Sequence, residues 1–137
     1  MADDIVFNKA ASIERCLQRI LNEYQGDKQN LVANQTKQDS IILNLQRACK
    51  SATDLAMYVV SQRKLGVPQD SRDAFAFLQT SGIIPADLAT RMQHMVGFRN
   101  VAVHEYTRLN LDVVHAIITK QLEDFRTFSS TIVKAFP

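Results

Sequence analysis

Residues 41–60, IILNLQRACKSATDLAMYVV, decide the fold class of this chain. Their apolar side chains recur at steps of three and four residues, which is the period of one face of an α-helix. Gly66 and Pro68 follow, and they predict the end of this helix near Leu65, because Gly favours the position after a helix and Pro cannot continue its hydrogen bonds. The sequence therefore predicts one long helix with an apolar stripe of Ile41, Leu45, Ala48, Ala52, Leu55 and Val59.

The apolar residues of the segments on both sides of this helix recur with the same helical period. No two segments show the alternation of apolar and polar residues that is typical of paired strands. A polar connection over residues 27–38 is expected before the long helix. The other predicted helices are one from about Val6 to Tyr24, a short one capped by Asp70 or Ser71 and ended by Gly82, one with Pro85 in its first turn, and one from Asn110 or Asp112 nearly to Phe136. We predict an all-α, up-and-down antiparallel bundle of five helices in a single domain, residues 1–137. Two helices of about 25 residues would each be about 37 Å long, and such lengths favour a homodimer.

The composition argues against several classes of protein. A net charge of +2 is too small to identify a nucleic-acid-binding protein. No apolar run approaches the roughly 18 residues that a membrane span needs, and Asp3 and Asp4 stand where a signal peptide has basic residues. Cys16 and Cys49 lie in apolar stripes, as buried cysteines of reducing compartments do, and neither has metal-ligand spacing to a histidine. We therefore expect a cytoplasmic protein with no membrane span, no metal and no cofactor.

Residues 97–106, GFRNVAVHEY, depart from the pattern of their helix. Arg99 stands where the stripe that ends at Met95 predicts an apolar residue, and local rules tend to fail at functional sites. An Arg whose stem covers the core while its guanidinium reaches water would explain the position equally well. For His104 the ordinary explanation is a half-buried histidine with common hydrogen bonds. The two residues together, with Asn100 between them and Tyr106 beyond, favour a functional site.

Arg99 and His104 do not face the same way on one regular helix. Five residues rotate by about 500°, which leaves the two side chains about 140° apart. They would meet if the helix broke near His104, or if two copies of the chain joined their motifs across a symmetric interface. Asn100 precedes His104 by one turn, so we expect its side chain to hold the imidazole by a hydrogen bond.

These residues resemble the motif of HEPN-domain ribonucleases, in which an Arg and a His are separated by four to six residues and a polar residue follows the Arg. Residues 99–104, RNVAVH, have this form. Residues 104–106, HEY, are similar to the His-x-Tyr ending of the HepT branch, the toxins of the MntA/HepT toxin-antitoxin systems. The resemblance extends to the length, the order of the helices, the Gly-Pro break and the position of the motif at the end of the fourth helix.

The resemblance implies a toxin that is a metal-independent endoribonuclease and acts as a homodimer on RNA, either a tRNA or an mRNA. It implies that Arg99 and His104 are catalytic, that Asn100 supports them, and that no cofactor takes part. It also implies a partner, an MntA-like nucleotidyltransferase antitoxin that transfers AMP to Tyr106 and thereby neutralises the toxin.

Two other classes remain open on the sequence. The chain could be a non-catalytic helical module that dimerises or serves a nucleotidyltransferase, but a catalytically inactive HEPN protein would lack Arg99 or His104. It could be a plain nucleic-acid-binding dimer, but no motif of that class is visible. Arg91, Arg99 and Arg108 make the motif region locally basic, as an RNA cleft would be, although solvated helix ends have similar charges.

Overall fold

The structure is a computed structural model that describes residues 3–105 and 109–136. All its regular elements over these residues are helical. In chain order they are α1 (Asp4–Tyr24), α2 (Lys28–Val32), α3 (Gln35–Gln62), α4 (Ser71–Thr80), α5 (Ala86–His104), α6 (Leu111–Ala116), a π-helical segment (Ile117–Gln121) and α7 (Leu122–Ala135). The segment joins α6 to α7 without a break. The predicted all-α fold is confirmed.

The five predicted helices are present, and one short helix is added in the predicted polar connection. That helix is α2, and α3 also begins inside the connection. Both start at a side-chain cap: the Asp27 carboxylate accepts the N–H of Gln29 at 2.9 Å, and the Asn34 side chain accepts the N–H of Lys37 at 3.0 Å. Such caps satisfy the free N–H groups of a first turn, so exposed turns form there without an apolar stripe.

The other helix boundaries lie close to the predicted positions. Asp70 caps α4 by accepting the N–H of Asp73 at 3.0 Å, and Asn110 caps α6. Pro85 lies one residue earlier than predicted, in the N-cap position of α5. Gly66 has a φ of 142°, a conformation that only Gly adopts readily, and a Cβ there would lie 3.1 Å from the Phe77 ring. The turn after α3 therefore requires this glycine.

The long helix α3 is the centre of the bundle, since it contacts α1, α4, α5 and α7. It runs antiparallel to α1, because Ser12 Oγ lies 3.1 Å from Ser51 Oγ while Lys9, further back along α1, pairs with Asp54 at 3.5 Å. Burial of the two apolar stripes against each other stabilises this pair.

The remaining helices close the core around α3. The rings of Phe75 and Phe128 meet edge to face with 5.3 Å between their centroids, which joins α4 to α7. Phe125 is also fully buried. Cys16 and Cys49 are free and buried, which confirms their predicted packing role. Among the helices of the described ranges, none has the length and apolar character needed to cross a membrane.

Candidate active site

The motif residues lie on the last two turns of α5, which stays helical through His104. The N–H of Glu105 donates to the carbonyl of Val101 at 2.8 Å, and Glu105 itself leaves the helical conformation with a φ of −136°. The helix therefore ends directly after His104. The expected break near His104 comes only after that residue, so Arg99 and His104 stay on one continuous helix and the break does not bring them together.

Arg99 is half-buried and faces the bundle. It lines a cleft of about 370 Å³ between α1, α3 and α5, which we call the Arg99 cleft. The other side chains of this cleft include Cys16, Leu43, Gln46, Arg47, Lys50 and Asp54. Burial raises the pKa of the Cys49 thiol to about 12, and the charge of Arg99 acts in the opposite direction. The guanidinium therefore lies near the core with its charge directed into a polar, basic cleft.

His104 lies on a different side of α5 from Arg99. Its side chain and that of Asn100 are both exposed, and neither lines the Arg99 cleft. Within the described part of the chain, no hydrogen bond joins Asn100 to His104, so the predicted support of the imidazole stays a prediction. The structure therefore places the Arg99 guanidinium in a basic cleft and the His104 imidazole outside it.

Exposed apolar side chains lie beside the Arg99 cleft. Val103 is 46% exposed and follows Arg99 by one helical turn, and Leu43 of α3 is 44% exposed and lines the Arg99 cleft. The Gln46 amide donates to the carbonyl of Ala102 at 3.4 Å and ties α3 to α5 at this point. We call Leu43 and Val103 the apolar rim.

Tyr106 and Arg108 lie outside the described residues. On a continuing helix, Tyr106 would return to within about 20° of the face of Arg99, but α5 ends at His104. That angular argument therefore does not apply, and the role of Tyr106 stays a prediction.

Arg91 does not contribute a free charge to the site, contrary to the locally basic character predicted for this region. Its guanidinium pairs with Asp124 at 2.9 Å and with Asp87 at 3.2 Å. The charge of Asp124 is the main reason that the pKa of Arg91 is raised above its usual value. Arg91 therefore joins α5 to α7 and has a structural role.

Sequence reasoning missed Arg47 and Lys50, two cations of the cleft that belong to α3. Both lie on the exposed face of that helix, opposite its apolar stripe. Their spacing of three residues places them on one side of the helix, which is the signal that could have drawn attention to them. The described residues contain no group of three or more His, Cys, Asp or Glu side chains placed to hold a metal ion.

The fold and the site together indicate a class of protein. They are typical of a HEPN-like domain, which is an antiparallel helical bundle with an Arg-x4-His pair at the end of a long helix, here beside a basic cleft. The profile of one family, described as Ribonuclease HepT-like, matches residues 13–132. The chain belongs to this HepT-like ribonuclease family.

Relatives of known structure or activity support the assignment over nearly the whole length. The chain is 45% identical over 130 residues to the mRNA nuclease HepT of Shewanella oneidensis, a match that covers 95% of this chain and 97% of that protein. It is similar to the tri-AMPylated HEPN toxin of Shewanella oneidensis solved in complex with an MNT antitoxin, with a TM-score of 0.90, 44% identity and coverage of 97% and 98%. A toxin-antitoxin structure with AMP-PNP gives a TM-score of 0.91 at 44% identity, with coverage of 97% and 99%.

Proposed function

We propose that this chain is the toxin of a toxin-antitoxin system, a metal-independent endoribonuclease that acts in the cytoplasm on RNA such as mRNA. The position of Arg99 supports this function most directly. Its guanidinium lines a basic cleft, while the imidazole of the same motif is exposed at the end of the same helix. The likeness to an mRNA nuclease over nearly the full length agrees with the proposal.

The chemistry needs only groups that the motif supplies. The ribose 2′-hydroxyl is the nucleophile, so one base must take its proton as it attacks the phosphorus, and His104 takes this role. The phosphorane carries additional negative charge, and the planar guanidinium of Arg99 neutralises it through paired N–H donors. The bond to the 5′-oxygen then breaks, and that oxygen takes a proton from the imidazolium of a histidine. No cofactor has a part in this reaction.

A homodimer completes the site in this proposal. A two-fold axis near the end of α5 brings His104 of one copy towards the Arg99 cleft of its partner. The apolar rim, Leu43 and Val103, would then be covered by its symmetry mate, which explains why two aliphatic side chains are exposed beside a polar cleft. Asn100 would hold the imidazole once the two copies are joined.

Mixing two inactive variants tests the shared site. We expect Arg99→Ala and His104→Ala homodimers each to lose about 100-fold or more in cleavage rate, because each lacks one catalytic group. A heterodimer made by joint refolding of the two variants, isolated with two different tags, should regain activity, because one copy supplies Arg99 and the other His104. A heterodimer that forms and stays inactive would show that both groups must come from one chain.

The toxin is neutralised, in this proposal, by an MntA-like nucleotidyltransferase that attaches AMP to Tyr106. The solved relative is tri-AMPylated in complex with its antitoxin. The adduct adds negative charge and bulk two residues after His104, so it would compete with RNA for the cations of the cleft. After co-expression with the partner, intact-mass spectrometry should show adenylate increments that are absent from Tyr106→Phe. Increments of the same size in that variant would assign the modification to another residue.

A further inference from the structure

A second cavity adjoins the Arg99 cleft and continues it along α1. Its volume is about 370 Å³, and it is lined by Ser12, Arg15, Cys16, Arg19, Asn44 and Arg47. We call it the arginine groove. Three of these side chains, Ser12, Cys16 and Arg47, also line the Arg99 cleft. The two cavities are therefore one continuous depression that begins at the active site.

Four of the five cations of this depression have no acidic partner among the described residues. Over the described ranges, Arg15, Arg19, Arg47 and Arg99 form no ion pair and no hydrogen bond, whereas Arg91 and Arg126 are both paired. Lys50 is the exception within the depression, because Asp54 lies 3.1 Å from it and also pairs with Lys9. Four guanidinium groups on three helices thus leave their donors available to an external anion.

Arg15 and Arg47 belong to different helices but line the same cavity as Cys16. Burial raises the pKa of the Cys16 thiol, and the charges of Arg47 and Arg15 both oppose that effect, so both groups lie near this one side chain. Arg15 and Arg19 are one turn apart on α1, about 6 Å along the helix axis. Repulsion between like charges disfavours such a cluster unless a ligand neutralises it.

We infer that the arginine groove, with Arg15, Arg19 and Arg47, is a track that binds successive phosphates of one RNA strand and leads it to the active site. The inference rests on the proposed ribonuclease function and adds to it the path of the substrate beyond the cleaved bond. Arginine is suited to the role, since its fork of donors binds a phosphate through two hydrogen bonds.

The lining of the groove favours RNA over a protein partner. Besides the three arginines it contains Ser12 and Asn44, and Cys16 is its one largely apolar member. Protein interfaces bury an apolar, often aromatic centre, whereas nucleic-acid interfaces are polar, wet and strongly positive. The lining of the groove is therefore typical of a nucleic-acid interface.

Binding of RNA to the inactive His104→Ala homodimer tests the track separately from catalysis. The probe is a fluorescein-labelled single-stranded RNA of about 12 nucleotides, with one of about 4 nucleotides for comparison, and fluorescence anisotropy is measured over a range of KCl concentrations. The variants are Arg47→Gln and the double variant Arg15→Gln/Arg19→Gln. Arg72→Gln is the matched control, because Arg72 is exposed on α4 beside Gly97, on another side of α5 from Arg99.

We expect the double variant to bind the longer RNA about tenfold more weakly, and each lost arginine to reduce the slope of log affinity against log salt by about 0.7. The shorter RNA should lose less affinity, because it does not reach along the groove. If Arg47→Gln and the double variant bound RNA with the same affinity and the same salt dependence as Arg72→Gln, the inference would be overturned. Unchanged RNA binding with weaker binding of the nucleotidyltransferase would also overturn it and would make the groove a protein-docking surface. RNA cleavage by the parent protein tests the ribonuclease function itself. A failure of that function is therefore distinguishable from a failure of the proposed RNA track.

Discussion

Glu14 and Arg15 are neighbours in the sequence, yet they belong to two flanks of the bundle with different chemistry. Glu14 accepts two hydrogen bonds from Arg126, both at 3.0 Å, and so ties α1 to α7. Arg15 lines the arginine groove and has no ion-pair partner among the described residues. A charge therefore identifies a binding surface only where the fold leaves it without a partner.

The same contrast separates Arg91 from Arg99 on α5. The two arginines are eight residues apart, and a count of charges treats them alike. Arg91 is held by carboxylates of α5 and α7, while Arg99 lines a cleft with Arg47 and Lys50. Arg91 ties α5 to α7, whereas Arg99 has no acidic partner among the described residues and, in the proposed function, binds a substrate phosphate.

Replacing one arginine on each flank by Ala should have the largest effects, on RNA cleavage for one flank and on stability for the other. Arg99→Ala should lower the rate of RNA cleavage by about 100-fold or more, because it removes the cation that neutralises the phosphorane, while the urea midpoint stays near that of the parent. Arg126→Ala should leave the cleavage rate near that of the parent and lower the free energy of unfolding by about 1 kcal/mol. The measurements are cleavage of a labelled RNA and urea denaturation followed by circular dichroism. Equal effects of both variants on both quantities would remove the distinction between the flanks.

Much of this fold was predictable, because the helices that pack together have long apolar stripes. The central stripe of α3 and the Asp70 cap of α4 follow from the residues alone. The short helix α2 was not predictable. Five residues of α2 are too few to show a period, and its Asp27 cap has the composition of an ordinary polar loop.

The candidate site was predictable only where one of its residues interrupts the apolar stripe of a helix. Arg99 interrupts an apolar stripe, so its position stood out, whereas Arg47 lies on an exposed face where any charge is expected. The pairing of Arg91 with Asp124 joins residues 33 positions apart, and no local pattern reveals such a contact. The side of α5 on which His104 lies followed from helix rotation, and the structure agrees.

A charge placed in the apolar rim should have the next largest effect. Leu43→Glu would bury two carboxylates near the two-fold axis of the proposed homodimer, which strongly disfavours association. We expect sedimentation to show a monomer, and cleavage to fall by about tenfold or more because the shared site is lost. Val67→Glu is the control, since Val67 is 80% exposed in the turn after α3, away from the site. A Leu43→Glu protein that remains a dimer would place the interface elsewhere.

The smallest expected effect is the pH dependence of the paired flank, and it tests why Arg126 matters. Its hydrogen bonds to Glu14 are the main reason that the pKa of this carboxyl is lowered from its usual 4.5, and that the pKa of Arg126 is raised. A carboxyl with a lowered pKa in the folded state contributes stability that is present above pH 4.5 and is lost as the pH falls through the folded value. The difference in unfolding free energy between the parent and Arg126→Ala should therefore be constant from pH 7 to about 5 and shrink below about 4.5.

Urea denaturation at several pH values measures this difference directly. Both groups are partly exposed, so the whole effect stays within about 1 kcal/mol, and added salt should reduce it further. Glu14→Gln is the matched control, because it keeps the shape of the side chain and removes the titrating group. In that background, Arg126→Ala should cost less, because only Glu123 remains as a partner of Arg126, and the pH dependence that Glu14 contributes should be absent. A difference that stays constant down to pH 3 would show that Arg126 stabilises the bundle by packing against α1 rather than by its charge.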